Sequence, residues 1–491
     1  INVFPVPDGD TGSTLAYTMY TIVEEARIKK TVKETMESIA EAALNGARGN
    51  SGIIFAQYIN GMYMEMPEEE DVTVEGFTNL ANKAVDYAYK SISQPVEGTM
   101  ITVIKDWAQS LMGDSLLAAA ESLKRTPEML KVLKDAHVVD SGAKGFFHFL
   151  EGFIKFIKTN ERVKFEEDYS EILIQTEDIH VMDNMDLHYR FCTEALIQGD
   201  NLDVDAIKRD VEDIGNSLVI AGNKKKVRIH IHAAQPEELF RRLRSHGRII
   251  QQKADDMKRP YEATHSRAYP IALLTDSIAD LPREIMDKYQ IYMVPLNLMA
   301  DGSNYLDKTT ISSDYFYSLM DEIEEYPSSS QPSSSIVEEY IRFLREHYSK
   351  IIVITVSDKM SGTLNTFRKA LEKLGIEDGS VALIDSRRNS GAEGLIVMKA
   401  AEMIHQGMDF DDIVKKLDEI IGKSEIFVSV TDLKYMVKSG RISKYVGFAA
   451  NTLNFKPVVS IDKEGHGSII GKSFSVESNT RKIYSLIDEI H

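Results

Sequence analysis

One cysteine in 491 residues, Cys192, excludes a disulfide within the chain and suits a reducing, cytoplasmic setting. Basic residues are also in short supply. Lysine and arginine number 57 against 76 acidic residues, a formal net charge of −19. That balance opposes non-specific binding to nucleic acid or to an anionic lipid surface, since both need basic patches. The sequence has neither a signal peptide nor an apolar run of transmembrane length, so no stable membrane insertion is expected. What remains is an ordinary globular composition, 43% hydrophobic and 27% charged, long enough for about three domains.

Residues 5–12 read Pro-Val-Pro-Asp-Gly-Asp-Thr-Gly. Asp8 and Asp10 stand one glycine apart, and Gly9 permits a backbone bend that lets both carboxylates converge. Hard cations such as Mg2+ take oxygen ligands, usually one or two carboxylates plus substrate phosphates. Taken alone, the segment reads more simply as a Pro/Gly turn with Asp10 or Thr11 capping a helix. Three further polar, glycine-bearing segments shift that balance: 46–52 (Gly-Ala-Arg-Gly-Asn-Ser-Gly), 96–100 (Val-Glu-Gly-Thr-Met) and 139–145 (Val-Asp-Ser-Gly-Ala-Lys-Gly). Each adjoins a stretch of helical periodicity, 32–44, 77–91 and 129–136 in turn. At helix ends, exposed N–H groups and the dipole favour phosphate. Four such segments in one helical region fit a nucleotide site built from the ends of a helix bundle.

In this order the four segments resemble the nucleotide-binding subunit of the dihydroxyacetone kinases. They are closer still to the N-terminal domain of bacterial fatty acid kinase, whose Asn-Val-Phe-Pro-Val-Pro-Asp-Gly-Asp-Thr-Gly run matches from Asn2. The resemblance spans roughly residues 1–160 and implies an up-and-down barrel of helices with ATP and Mg2+ at one end. It implies Asp8 and Asp10 as metal ligands and Thr11, Gly12, Asn50, Ser51, Gly52, Gly98 and Thr99 around the phosphates, with Asp140 and Gly142 near the nucleoside. The dihydroxyacetone kinases carry a third aspartate upstream, where this chain has Asn2. Asn2 is thus a candidate Mg2+ ligand, and the number of metal ions stays open. The chain starts at Ile1, directly on the motif, so a preceding helix is expected to be missing and the chain is read as a piece of a longer protein.

An apolar, Phe-rich helix over 145–158 precedes a charged linker over 159–168. Strands are expected at 171–175, 187–192, 217–220 and 227–232, with helices at 204–214 and 236–246. This describes a small α+β domain. His230 and His232, two apart in a strand, point to one face, and the thiolate of Cys192 beside them would make a soft set suited to Zn2+. A half-exposed strand and a small buried thiol are the other account of the same residues. The segment resembles the middle domain of fatty acid kinase, whose Tyr-x-x-Cys-Thr-Glu and His-Val-His-Thr signatures appear as Tyr189 to Glu194 and His230 to Ala233. The family's cysteine and histidines are implicated in zinc binding, and both accounts stay open. The expected distance of the triad from the nucleotide implies a structural role for any zinc.

From about Ala268, short apolar strands at 271–274 and 351–356 alternate with helices at 335–348, 364–374, 394–405 and 410–421, the pattern of parallel α/β layers. Ligands in such sheets bind beyond the carboxyl ends of the strands, where this chain places Ser328 to Ser335, Ser361-Gly362-Thr363, Asp385-Ser386 and Lys438 to Ile442. Singly these are loop residues; jointly, hydroxyls and Arg441 could clamp a carboxylate. Thr275-Asp276-Ser277, Asp280-Leu281-Pro282, Ser330-Gln331-Pro332, Ser361-Gly362-Thr363 and Gly440-Arg441-Ile442 resemble the DegV family of fatty-acid-binding proteins across 270–491. The resemblance implies Ser329, Ser330, Ser361, Gly362 and Thr363 at a fatty-acid carboxylate and Arg441 in docking or phosphate transfer. The family's C-terminal Gly-x-His-x-Gly-Pro-Gly segment has no counterpart before His491, so truncation is expected there too.

The expected fold is multidomain: an all-α up-and-down helical barrel over 1–160, an α+β domain over 170–265 and an α/β domain of two subdomains over 268–491. The expected activity is a bacterial, cytoplasmic fatty acid kinase fused to its carrier, passing the γ-phosphoryl of Mg-ATP to the carboxylate of a long-chain fatty acid. Catalysis is assigned to Asp8, Asp10 and Arg441. Other fatty-acid carriers, an acyltransferase and a second copy of the chain are candidate partners. The alternatives are a polyol kinase of dihydroxyacetone type, and a lipid carrier or sensor without transfer.

Overall fold

The computed structural model describes residues 11–68, 72–160, 187–323, 325–431 and 456–490. The chain divides into two compact units, Ile1–Lys258 with Gly302–Asn304, and Arg259–Asp301 with Tyr305–His491.

The first unit opens with helices α1 (Thr11–Glu25), α2 (Val32–Gly46), α3 (Gly49–Met64), α4 (Val74–Ser91), α5 (Met100–Gln109), α6 (Ser115–Met129), α7 (Lys131–Asp135) and α8 (Ser141–Thr159). Their starts follow local chemistry. Thr31 and Glu34 form a reciprocal capping box at α2, while Thr73, Asp114 and Asp140 cap α4, α6 and α8. The segment expected to be one helix over 129–136 is broken at Leu130, where α6 ends and α7 begins.

Helix α3 is buried from Gly52 to Met62 on nearly every face, as expected of a helix apolar all round. It packs against α1, α2 and α4. Its Phe55 and Tyr58 join Trp107 of α5 and Phe146 of α8 in an aromatic cluster with ring centroids 5.9–6.4 Å apart.

After α8 the described chain resumes with strand β1 (Phe191–Gln198), then α9 (Val204–Val211), β2 (Gly215–Gly222), β3 (Lys226–Ala233), α10 (Pro236–Leu243) and β4 (Arg248–Asp256). The four strands form one sheet in the order β2-β3-β1-β4, and each of the three neighbouring pairs is antiparallel. Residues 187–189 make a 3-10 turn, not the start of a strand. The strand expected at 171–175 and most of the linker lie outside the described residues.

The sheet docks on the helices through buried polar contacts. Gln57 Oε1 accepts from Gly222 N–H at 2.9 Å, and Asn60 Nδ2 donates to Gly222 O at 2.8 Å. Ser93 N–H donates to Leu218 O at 3.1 Å, carrying the chain after α4 onto the edge strand β2.

The second unit holds a parallel sheet of Val381–Asp385, Lys350–Thr355, Ile271–Asp276 and Tyr292–Val294, in that order. The helices Ser334–His347 and Thr363–Lys373 cover one face through Val337, Ile341 and Phe367. The other face meets Ser390–His405 and Phe410–Lys423 through Ile396, Ala400 and Leu417. A smaller antiparallel sheet, Val428–Ser429, Lys456–Ile461 and Gly467–Ser473, packs with the helix Val476–Ile490. The architecture is therefore all-helical, then α+β, then α/β with a parallel sheet.

Candidate functional site

Asn2, Asp8 and Asp10 lie outside the described residues, as does Arg441. The other candidate nucleotide residues gather at helix N-termini that touch one another. A Cβ on Gly49 would lie 3.3 Å from Thr14 Oγ1, joining α1 to α3, and one on Gly142 would lie 2.4 Å from Ser51 Oγ, joining α3 to α8. Asp140 joins α8 to α5, accepting from the backbone N–H groups of Ala143, at 2.7 Å, and of Met100. Gly98, with φ +85°, donates its N–H to Thr102 Oγ1 at 2.9 Å at the start of α5. Thr11 begins α1 and is buried; Gly12 has open space where a side chain would stand. Thr99 precedes α5, and its hydroxyl bonds back to Val96 O at 2.9 Å, leaving the helix end without a side-chain cap. Four helix N-termini thus share one end of the bundle, the arrangement that favours a polyphosphate.

Two electrostatic details mark this end. Asn50 Oδ1, on the first turn of α3, is buried and has no hydrogen-bond partner among the described residues, an acceptor left for a donor. Burial pushes the Asp140 carboxyl up to about 6, against the lowering effect of its three backbone N–H partners.

On the sheet, Cys192 and Glu194 of β1 face His232 and His230 of β3 across an antiparallel register. Cys192 Sγ is 4.0 Å from His230 Nδ1, and His230 Nε2 is 3.3 Å from His232 Nε2. One donor atom from each of Cys192, His230 and His232 fits within 4.8 Å of the others, the only such group among the described residues. Tetrahedral zinc with nitrogen ligands at about 2.0–2.1 Å sets neighbouring nitrogens about 3.4 Å apart. The donor types fit that ion, and the Nε2–Nε2 separation of 3.3 Å matches that spacing. Burial and the neighbouring His230 push His232 down to about 3, which keeps it in the neutral form a metal requires.

The triad is not remote from the nucleotide segments, as the sequence had implied. Glu194 Oε1 accepts from the Gly49 N–H at 2.7 Å and faces His230 Nδ1 at 3.4 Å, while Oε2 accepts from Arg228 Nη2 at 3.1 Å. Burial would raise this carboxyl, but the His230 hydrogen bond and the charges of Arg228 and Lys253 hold it well below the usual carboxylate range. Arg48, which precedes α3, brings no side-chain cap and instead stacks on Tyr17, 3.9 Å from the ring centroid. The first N–H of α3 is therefore capped by a carboxylate 145 residues away.

In the second unit, Ser361 Oγ and Thr363 Oγ1 are 2.8 Å apart, and a Cβ on Gly362 would fall 1.9 Å from Gln331 Oε1. The segments 328–335 and 361–363 therefore meet. Ser329 and Ser330 are exposed on the strand Ser328–Ser330, which pairs with Asn297–Ala300. Sequence reasoning named Asp276 only as part of a motif and missed Glu393. Both side chains are buried, and among the described residues Glu393 has no hydrogen-bond partner for either oxygen. Burial raises Asp276 to about 6, and burial with the Asp276 charge raises Glu393 well above the usual range.

Three family models match: a DAK2 domain over 5–155, the middle domain of a fatty acid kinase-like family over 188–264, and the DegV family, described as uncharacterised, over 270–491. One chain joins all three domains. An uncharacterized protein of Staphylococcus epidermidis is 32% identical over 317 residues, 57% of this chain and 57% of that protein. One from Staphylococcus aureus is 34% identical over 281 residues, 52% and 51% of the two. The chain thus spans about half the length of the curated relatives it matches. Among solved structures, the fatty acid binding DegV family protein of Streptococcus agalactiae is 28% identical, with a TM-score of 0.42 over 45% of this chain and 78% of that one. Among the described residues, no helix is long and apolar enough to cross a membrane.

Proposed function

We propose that the chain is a fatty acid kinase carrying its own lipid-binding domain, which converts a bound long-chain fatty acid and ATP to acyl phosphate and ADP. The observation that carries this reading is the gathering of four helix N-termini, with Asn50 Oδ1 among them lacking a partner among the described residues, in a DAK2 domain followed on the same chain by a DegV domain.

The acceptor sets the chemistry. A carboxylate is already an anionic nucleophile at neutral pH, so no strong general base is needed. One of its oxygens bonds to the γ-phosphorus as the bond from that phosphorus to the β–γ bridging oxygen breaks, and ADP leaves. Positioning and neutralisation of phosphate charge do most to lower the barrier. Asp8 and Asp10, with Asn2 as a further candidate, would hold Mg2+, which offsets phosphate charge when bound. Thr11, Gly12, Asn50, Ser51, Gly52, Gly98 and Thr99 are assigned to the phosphates, Asp140 and Gly142 to the nucleoside side. Ser329, Ser330, Ser361, Gly362 and Thr363 are assigned to the fatty acid and Arg441 to docking or transfer. Cys192, His230 and His232 would hold Zn2+, whose fit rests on the donor distances. The tether keeps carrier and kinase at an effective concentration on the order of millimolar, provided the linker can span the sites.

The test is hydroxylamine trapping of acyl phosphate from the full chain with Mg-ATP and a panel of free fatty acids. Acyl hydroxamate that requires ATP and Mg2+ and disappears in Asp10→Ala is the expected result. Acyl-chain binding without hydroxamate would favour a carrier or sensor, and phosphorylation of dihydroxyacetone a polyol kinase.

A further inference from the structure

The Glu194 carboxylate belongs to neither candidate site alone. Oε1 is shared between the backbone N–H that opens α3, at 2.7 Å, and the Nδ1 edge of His230, at 3.4 Å. Next to Gly49 along the chain come Asn50 and Ser51, the first with a buried oxygen that has no partner among the described residues and the second in contact with Gly142. Beyond His230, the Nε2 edge meets His232 at 3.3 Å. Glu194, Arg228 and His230 are each 3–4% exposed, so no water competes freely for these bonds. Gly49 has φ +59°, a left-handed conformation that glycine adopts without steric cost and that fixes the direction of its N–H.

We infer that Glu194 is a positioning residue coupling metal occupancy of the Cys192–His230–His232 cluster to nucleotide binding at the start of α3. This rests on the assignment of ATP to the DAK2 domain, but not on the acceptor. A carboxylate facing Nδ1 of a histidine favours the tautomer with the proton on Nδ1. The Nε2 lone pair is then free for a metal, the orientation that outer-shell carboxylates impose on metal-ligating histidines. A cation held by His230 draws electron density from the ring and strengthens the Nδ1–H donor. The carboxylate oxygen that answers it also holds the Gly49 N–H, so the first turn of α3 is fixed more firmly when the metal is bound. Coupling of binding free energies is reciprocal: whatever factor zinc contributes to nucleotide affinity, the nucleotide contributes to zinc affinity.

The experiment uses the full chain, stripped with a zinc-selective chelator or loaded with Zn2+, titrated calorimetrically with the Mg2+ complex of a non-hydrolysable ATP analogue. The reverse titration measures Zn2+ affinity against a chromophoric chelator, with and without the same analogue. Wild type is expected to show a coupling of about tenfold, the lower end for loss of an outer-shell partner, equal in the two directions. Glu194→Gln retains one acceptor oxygen where the carboxylate has two, and should reduce the coupling to within about twofold while both ligands still bind. His232→Ala removes a metal ligand and leaves the Glu194–Gly49 bond, so its nucleotide affinity should match that of zinc-free wild type whether or not zinc is added. Equal nucleotide affinity of wild type with and without zinc would overturn the inference. Undiminished coupling in Glu194→Gln, or no zinc binding at all, would do the same. Should Glu194→Gln fail to fold, the two wild-type titrations and His232→Ala still decide. No arm contains a fatty acid, so failure of the acyl-phosphate assay leaves this result standing.

Discussion

Gly142 and Ser51 stand closer than a side chain at position 142 allows, since a Cβ there would lie 2.4 Å from Ser51 Oγ and 3.4 Å from Ser51 Cβ. The contact holds the first turns of α8 and α3 together. Gly142→Ala must rotate Ser51 or part the helices, and overpacking of this kind costs about 1–3 kcal/mol. The chain has a single tryptophan, Trp107, and it sits in the core these helices share, so its fluorescence in urea reads the loss directly. Gly142→Ala with Ser51→Ala removes the obstructing hydroxyl and should regain most of the stability, though not nucleotide affinity. If the double variant melts no later than Gly142→Ala, Ser51 is not the obstacle.

Part of the join between helices and sheet is made at Gly222, whose N–H and C=O are satisfied by Gln57 and Asn60. Gln57→Leu leaves the Gly222 N–H without its acceptor in a buried place, a penalty of about 1–3 kcal/mol. Urea unfolding followed by Trp107 fluorescence should show that loss. A change below about 0.5 kcal/mol would mean that water or another group replaces the amide.

The pH dependence of the helical region has a definite sign at Asp140. The unfolded carboxyl releases its proton near its ordinary value of about 4, whereas burial holds the native one to about 6. Between those values the folded state binds the more protons, so stability falls as pH rises. This group alone should cost about 1 kcal/mol between pH 5 and pH 7. Asp140→Asn cannot titrate, and its stability relative to wild type should improve by that amount over the interval. A pH-independent difference between the two proteins would show that Asp140 ionises normally.

Much of this architecture could be read from local pattern. The capping box at Thr31, the glycine-bearing helix starts and the apolar parallel strands each announce themselves within a few residues. Strand β4 does not. Its Arg-Ile-Ile-Gln-Gln-Lys-Ala-Asp-Asp sequence has little apolar alternation because it is an edge strand. Glu194 was legible only as part of a signature around Cys192. Its tie to Gly49 exists because β1 folds back onto α3 across 145 residues, a separation no local pattern encodes. The expected remoteness of the zinc triad failed for that reason. Glu393 was hidden similarly, since a carboxylate in the first turn of a helix ordinarily looks like a dipole partner in solvent, while Asp276, at the end of its strand, was legible only as part of a motif.

The fatty-acid assignment in the second unit makes the sharpest demand on Gly362 and Ser361. A Cβ on Gly362 would strike Gln331 Oε1 at 1.9 Å and come within 3.1 Å of Gln331 Cδ. The obstacle is the far end of a flexible side chain, so Gly362→Ala should swing the Gln331 amide aside at little cost to the fold, with a melting temperature close to wild type. Ser361 differs in kind: its hydroxyl is 2.8 Å from Thr363 Oγ1 and accepts from the Thr363 N–H at 3.4 Å. Ser361→Ala removes a donor to a carboxylate, and a hydrogen bond to a charged group contributes about 1.5–3 kcal/mol. Fatty-acid affinity should therefore fall by about ten- to a hundredfold in Ser361→Ala. In Gly362→Ala it should also fall, because the displaced amide enters the space assigned to the ligand head group. Fluorescent fatty-acid titration of the full chain reads both. Unchanged affinity in the two variants, with their folds intact, would remove Ser361 and Gly362 from the site and send the search for the carboxylate to other loops at the carboxyl ends of the parallel strands.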